Sequence, residues 1–273
     1  MPTPGLNWAT DPVDKLRHGY NTGRQAILHE SAPGVEIEDH GFATGPGLVF
    51  VPATLRSQTD ILFLHGGGWI VGSPWTHRTL CSWLAHLTGR RVFAAPYRLA
   101  PEAKFPTQAQ DAATLVDEFA QTRDGFVLAG DSAGGAMIVW GESGAHHRGQ
   151  VRALISLYGA FGVHDSRSLR KYGATDDDLG PAALMAMYQH LGCEDPTDFQ
   201  NHFARDGAPI LLVRAECDPV ADDNDWFAAH TDRSVTHLMA PGQAHAFLQF
   251  CGSNPAARDC MAQVAQWLDG VVE

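Results

Sequence analysis

The chain has 273 residues, 44% of them hydrophobic, which suits one large domain with a full core. A formal net charge of −12 and the lack of any basic run argue against nucleic acid or an anionic membrane surface as partner. The opening Met1-Pro2-Thr3-Pro4-Gly5-Leu6-Asn7-Trp8 has neither a basic n-region nor an apolar h-region, and no later stretch is apolar for long enough to span a bilayer, so a cytoplasmic protein is expected.

A helix is expected over roughly Pro12 to His29, followed by Val35 to Ile37 and Leu48 to Val51 as an antiparallel edge. Short β-rich runs then recur at Ile61 to Leu64, Val92 to Ala95, Phe126 to Ala129, Ala153 to Tyr158, Ile210 to Val213 and Val235 to Met239, with helical segments between them. That alternation predicts an α/β fold, a single domain over residues 1–273 with a mostly parallel central sheet and helices on both faces. Ala112, Leu115, Val116 and Phe119 return to one helical face, as do Met261, Val264, Leu268 and Val271, and both sets are expected in the core.

Between Tyr158 and Ile210 lie about 50 residues, more than an ordinary crossover needs. With the N-terminal segment this insertion is expected to form a small helical cap, residues 1–30 and 160–208. Within it, Leu184, Met187, Tyr188 and Leu191 make a helical stripe that suits packing of the cap onto the domain. Asp176-Asp177-Asp178 reads as a solvated helix lead-in, since a calcium loop would need alternating ligands and a closing glutamate.

The chemistry is concentrated at the ends of the predicted strands. Ser132 lies in Gly130-Asp131-Ser132-Ala133-Gly134, after an apolar run and before a helix-compatible stretch. A G-x-S-x-G turn in that setting lifts a serine hydroxyl out of the backbone on a strained corner. Alone it could equally be a flexible turn or a helix N-cap. His65-Gly66-Gly67-Gly68-Trp69, ending an earlier strand, is not explained in that way, because three consecutive glycines cost unfolded-state entropy that a plain turn does not require. Such a loop offers bare N–H groups to a developing oxyanion, and the two motifs together point to an acyl-transfer hydrolase. Its expected oxyanion donors are the N–H groups of Gly67, Gly68 and Ala133, with Gly66 a less favoured third, while His65 orders the loop by hydrogen bonding.

A serine hydroxyl is a poor nucleophile at neutral pH, so it needs a histidine to take its proton and a carboxylate to orient that histidine. In the strand order of such a fold the acid follows a strand downstream of the serine and the histidine follows the next one. Asp218 and His245 hold those places. Among the rivals, Asp222 and Asp223 open a helix, where carboxylates suit the dipole, and are expected to be surface or capping residues. His230 closes that helix and His237 lies within the last strand, although the chain has 14 histidines in all. Trp69, Asp131, Leu184, Tyr188 and Phe247 are candidates for the substrate pocket. Cys81, Cys193, Cys217, Cys251 and Cys260 are odd in number and free of C-x-x-C spacing, which suggests reduced thiols. With no H-E-x-x-H and with the adjacent His146 and His147 facing different ways, no metal and no cofactor are expected.

Five ordered motifs resemble the bacterial hormone-sensitive-lipase-like carboxylesterases, in the branch with GDSAG rather than GTSAG. They are His65 to Trp69, Gly130 to Gly135, Tyr97-Arg98-Leu99-Ala100-Pro101-Glu102 with Phe105-Pro106 and Asp111, Asp218-Pro219-Val220 with Asp222-Asp223, and His245-Ala246-Phe247. The resemblance covers most of the chain and implies the triad roles for Ser132, Asp218 and His245, a small-molecule ester as substrate, and compatibility with a homodimer. It also implies a structural role for Tyr97 to Glu102, with Arg98, Glu102 and Asp111 neutralising one another near the sheet. Val220 and Ala246 stand where leucine and glycine are more usual in that family. The segment before His65 is shorter than is common there, which implies a reduced N-terminal cap and a more open pocket. Tyr20-Asn21-Thr22-Gly23-Arg24 also resembles the N-terminal segment of kynurenine-formamidase-like hydrolases, which usually differ at the position of Gly68. The expected reaction is hydrolysis of short-chain acyl esters through an acyl-enzyme. The alternatives are an amidase or arylformamidase using the same triad, or a ligand-binding receptor on this scaffold, a class that commonly loses the histidine retained here.

Overall fold

In the computed structural model, which describes residues 5–175, 179–193, 195 and 197–272, helix α1 (Val13–Gln25) precedes an antiparallel pair, β1 (Val35–Phe42) and β2 (Gly45–Pro52). The alternating part follows as β3 (Ile61–Leu64), α2 (Arg78–Thr88), β4 (Val92–Ala95), α3 (Thr107–Ala120), β5 (Phe126–Asp131), α4 (Ala133–Gly144) and β6 (Val151–Leu157). The insertion carries α5 (Arg167–Tyr172), α6 (Pro181–Leu191) and the single turn α7 (Thr197–Gln200). The chain then returns through β7 (Ile210–Cys217), α8 (Ala221–His230), β8 (Val235–Ala244) and α9 (Pro255–Val272). Asp176, Asp177 and Asp178 lie outside the described residues.

All eight strands join one sheet in the order β1-β2-β4-β3-β5-β6-β7-β8. The β1/β2 and β2/β4 pairs are antiparallel and every other pair is parallel, so the sheet is mostly parallel with an antiparallel edge, as the βα alternation predicts. The central strands are buried on both faces, and the two-residue side-chain period divides them. Leu62, Leu64, Phe126 and Leu128 pack with Leu115, Phe119 and Trp140 of α3 and α4. Ile61, Phe63, Val127 and Ala129 pack on the opposite face with Leu80 and Leu84 of α2 and Met261, Val264 and Leu268 of α9. Each buried Val, Leu, Ile, Phe or Met among them contributes about 1.5–3 kcal/mol. Val271, expected on the core face of α9, is instead 39% exposed, because it falls in the last turn of the helix.

A third cluster joins the N-terminal segment to the insertion. Trp8, Leu16 and Tyr20 from the N-terminal segment meet Ala183 and Met187 of α6 over Ile70 and Val71, just beyond the glycine loop. Arg17 fastens α1 there, with Nε donating to the Ile70 carbonyl at 2.9 Å and Nη2 to the Ala100 carbonyl at 2.9 Å. The guanidinium also grips Glu102 at 2.7 Å through two bonds. This corrects the expected neutralising trio: Arg98 pairs with Asp111 at 2.6 Å, while Glu102 turns outward to Arg17, which pulls the Glu102 pKa down to about 2.

All five cysteines are free. Among the described residues no helix is long and apolar enough to cross a membrane, and no cluster of three or more His, Cys, Asp or Glu side chains is arranged to hold a metal ion.

Candidate active site

Strand register brings the motif residues together. Leu64 of β3 is level with Gly130 of β5, so the next residues, His65-Gly66 and Asp131-Ser132, emerge side by side at the carboxyl edge of the sheet. Asp131 is level with Leu157 of β6, and the Ser132 N–H donates to the Leu157 carbonyl at 2.9 Å. On the far side Cys217 of β7 is level with Ala244 of β8, which places Asp218 and His245 next to each other.

Ser132 takes φ 54° and ψ −119°, a conformation costly for a residue with a side chain, and its carbonyl is fixed by the N–H groups of Gly135 at 2.8 Å and Ala160 at 3.0 Å. The glycines of the turn answer to close approach. A Cβ on Gly134 would stand 2.1 Å from the Leu64 carbonyl oxygen, and one on Gly130 would stand 2.3 Å from that of Gly134. The strained corner aims the hydroxyl at His245, whose Nε2 is 2.9 Å from Ser132 Oγ and whose Nδ1 is 2.8 Å from Asp218 Oδ2. An Nδ1–H bound to a carboxylate leaves Nε2 as an acceptor for the serine O–H. Asp218 is fully buried, its other oxygen accepting the Val220 N–H at 2.9 Å, so the acid is fixed by its own loop. Tyr158, at the end of β6 with φ 43°, sets its ring edge-on to His245 at 5.1 Å and limits its rotation.

The glycine loop is held open from behind. The His65 ring stacks on Tyr97 with centroids 4.3 Å apart, Tyr97 donates its hydroxyl to the His65 carbonyl at 2.8 Å, and His65 Nδ1 lies 2.8 Å from the Gly66 carbonyl oxygen. Burial and the neighbouring His77 push the His65 pKa down to about 3, so it stays neutral and orders the loop, as expected. The Gly66 N–H donates to Asp131 Oδ1 at 2.8 Å and so is already engaged. Among the described residues no acceptor takes the N–H of Gly67, Gly68 or Ala133.

Asp131 therefore has a different place from the one expected. Its carboxylate accepts from Gly66 and from Gln249 Nε2 at 3.2 Å and lies 3.3 Å from His77 Nε2, so it ties the glycine loop to the segments around it. Burial alone would raise its pKa, but His77 and the Gly66 N–H outweigh burial and hold it below the usual carboxylate value. Trp69, Leu184, Tyr188 and Phe247 are also buried rather than lining an open wall. Trp69 and Tyr188 join Trp140 and Phe199 in an aromatic cluster under the cap, Leu184 packs in the same core, and Phe247 backs Tyr158 at 5.8 Å.

Asp223 overturns the expectation of a surface carboxylate. It is fully buried and accepts the backbone N–H groups of Phe161 and Val163, tying the start of the insertion to α8. Burial drives its pKa up to about 8, with Asp218 adding to the rise. Asp222 is nearer the expectation: it caps α5 by accepting the Ser168 N–H at 2.9 Å. Nothing in the sequence singles out His77, Tyr158 or Gln249 for these places, whereas Tyr97 supports the His65 loop in keeping with the structural role expected of its motif.

A family model described as alpha/beta hydrolase fold matches residues 61–249. The chain belongs to the α/β-hydrolase fold family. This α/β-hydrolase is 32% identical over 292 aligned residues to an acetyl esterase of Salmonella agona, covering 97% of the chain and 90% of the relative. It is 31% identical to an acetyl esterase of Salmonella typhi with the same coverage. Among solved structures it is similar in fold to an esterase of Pyrobaculum calidifontis, with a TM-score of 0.87 at 24% identity, covering 99% of this chain and 97% of that one. An esterase from the bacterial hormone-sensitive lipase family aligns with a TM-score of 0.85 at 22% identity, covering 97% and 93%.

Proposed function

We propose that the chain is a serine carboxylesterase that hydrolyses short-chain acyl esters through an acyl-enzyme on Ser132. The observation that carries this reading is the continuous path from Asp218 Oδ2 through His245 to Ser132 Oγ, with contacts of 2.8 and 2.9 Å. His245 Nε2 takes the hydroxyl proton as Oγ attacks the ester carbonyl, and the imidazolium is stabilised by Asp218. The charge that develops on the carbonyl oxygen is met by the N–H groups of Gly67, Gly68 and Ala133, each preorganised donor being worth about 3 kcal/mol in the transition state. His245 returns its proton to the leaving alcohol, water then attacks the acyl-enzyme with His245 as base, and Ser132 is regenerated.

A short acyl group is supported by relatives named acetyl esterases. The helix α1 and the insertion bearing α5 to α7 act as a cap over the single hydrolase domain. Small soluble esters are the partners, the chain works in the cytoplasm, and no cofactor enters the cycle.

The test is an acyl series of p-nitrophenyl esters, acetyl to decanoyl, turned over by the wild type and by Ser132→Ala, with a matched formanilide as amide control. The expected result is a peak of kcat/KM at acetyl or butyryl, loss in the variant, and slow amide turnover. Equal rates for the variant and the wild type would sink the proposal, and a formanilide preferred over the ester would make the chain an amidase.

A further inference from the structure

A cavity of about 270 Å³ opens between α1 and the start of α2, lined by Asn21, Arg24 and Gln25 on one side and by Trp75, Thr76 and Arg78 on the other. No acidic side chain lines it. The chain has 31 acidic residues against 19 basic ones, and elsewhere arginines find carboxylates readily: Arg17 with Glu102, Arg98 with Asp111, Arg205 with Asp232. Among the described residues no carboxylate pairs with Arg24 or Arg78. Two guanidinium groups with neutral amide and hydroxyl donors around them make a site for an anion, and guanidinium geometry suits a planar carboxylate.

A path of side-chain contacts links the cavity to Asp131, the residue before Ser132. Arg24 lies over the Tyr20 ring at 4.7 Å, Tyr20 faces His77 at 6.4 Å, and His77 is 3.3 Å from Asp131, the residue before Ser132. Burial opposes the charge on Arg24, but attraction to Tyr20 and Asp131 outweighs it, so the side chain remains cationic with its pKa above the ordinary arginine value. The other wall, Ser73 to Thr76, leads directly out of the oxyanion loop, Thr76 Oγ1 standing 2.9 Å from His77 Nδ1. Trp75 at the rim is 40% exposed and offers an apolar face to a short carbon chain. The volume is near the lower end for ligand pockets, about 300 Å³, so it holds a small group rather than a long acyl chain.

We propose that this cavity binds a carboxylate carried by the ester substrate at a point remote from the scissile carbonyl, so that the natural substrate is an anionic ester. The inference rests on the esterase reading given above. Arg24 supplies the anchoring charge and Arg78 the second, and neither takes part in bond making.

The experiment compares a neutral ester, p-nitrophenyl butyrate, with mono-p-nitrophenyl glutarate, which has the carboxylate on the acyl side, and with phenyl acetate against 3-acetoxybenzoate, which has it on the alcohol side. Wild type, Arg24→Gln and Arg78→Gln are measured on all four. The expected result is that one of the two carboxylated esters is preferred by the wild type, and that each variant lowers its kcat/KM, through KM, by at least about tenfold more than that of its neutral partner. Which ester responds assigns the site to the acyl or the alcohol side. Parallel losses on charged and neutral esters, or no wild-type preference for either carboxylated ester, would overturn the proposal. If Arg24→Gln does not fold, Arg78→Gln, on a half-exposed residue, carries the same comparison. Failure of the esterase reading is seen separately, as wild-type turnover of p-nitrophenyl butyrate no faster than that of Ser132→Ala.

Discussion

Met187 of α6 rests on Gly68 of the glycine loop: a Cβ built on Gly68 would stand 2.6 Å from Met187 Sδ. Gly68 also has φ +58°, where a side chain costs about 1–2 kcal/mol. The contact couples the position of α6 to the orientation of the Gly68 N–H, a proposed oxyanion donor. Gly68→Ala is expected to lower kcat on an acetyl ester by roughly 10²-fold, the value of one misplaced donor. Truncating Met187 removes the sulfur that the new methyl meets, so part of that loss should disappear in a Met187→Ala background. The check is kcat for all four members of the double-mutant cycle; strictly multiplicative losses would show that Met187 does not press on the loop.

Ser132, His245 and Asp218 form a chain in which each proton position depends on the next. Ser132→Ala and His245→Ala should each lower kcat by a factor on the order of 10⁴ or more, and the double variant should be no slower than either single one. Asp218→Asn should cost a factor on the order of 10⁴, since an amide facing Nδ1 favours the wrong tautomer. Circular dichroism on the same samples separates loss of chemistry from loss of fold. Full multiplicativity of the serine and histidine effects would mean that they do not act as a unit.

Asp223 makes stability depend on pH in an unusual direction. Its pKa rises from 3.8 to about 8, so between those values the folded chain holds a proton that the unfolded chain has released. Stability from this group therefore falls as pH rises through that window and levels off above it. His65 works the other way: with its pKa lowered from 6.5 to about 3, the unfolded chain gains a proton first on acidification, and stability falls as pH falls through that range. Asp223→Asn keeps an oxygen for the Phe161 N–H and removes only the titration. Urea unfolding at pH 5 and pH 8 should show a smaller decline toward pH 8 in the variant than in the wild type. An identical decline would mean that Asp223 is ionised at neutral pH.

The sheet, the helices of the insertion and the proximity of Ser132, Asp218 and His245 were legible in the sequence because each depends on local pattern or on strand order. Ile61 to Leu64 and Val92 to Ala95 are apolar runs with the bounds of β3 and β4, and Asp218 and His245 follow successive strands in the order Ser, acid, His. Asp131, Asp223 and Glu102 were misread because a carboxylate looks the same in sequence whether it meets water, a backbone N–H or a guanidinium. What decided them was register and distant packing. Leu64 opposite Gly130 delivers the Gly66 N–H to Asp131, the insertion folds back to give Asp223 the Phe161 N–H, and α1 carries Arg17 across to Glu102. Distant packing also settles the side chain of Trp69: it follows the glycine loop in sequence, and φ 61° turns it inward to the aromatic cluster.

Ala246 holds a left-handed conformation, φ 61° and ψ 17°, immediately after the catalytic-site histidine. An L side chain there costs about 1–2 kcal/mol, while glycine avoids the steric penalty but loses more backbone entropy on folding, about 0.5–1 kcal/mol. The balance favours Ala246→Gly by up to about 1 kcal/mol, which for a chain of this size raises Tm by about 2–4 °C. The hydrogen bonds that place His245 come from Asp218 and Ser132, so the geometry of the ring does not require the alanine methyl. The substitution should accordingly raise Tm while kcat on an acetyl ester changes by less than about threefold, a difference below 1 kcal/mol in barrier. Calorimetry and kcat on one preparation decide the matter. A fall in Tm would mean that the methyl makes packing contacts worth more than the strain it imposes, and that the alanine is retained at this position for stability.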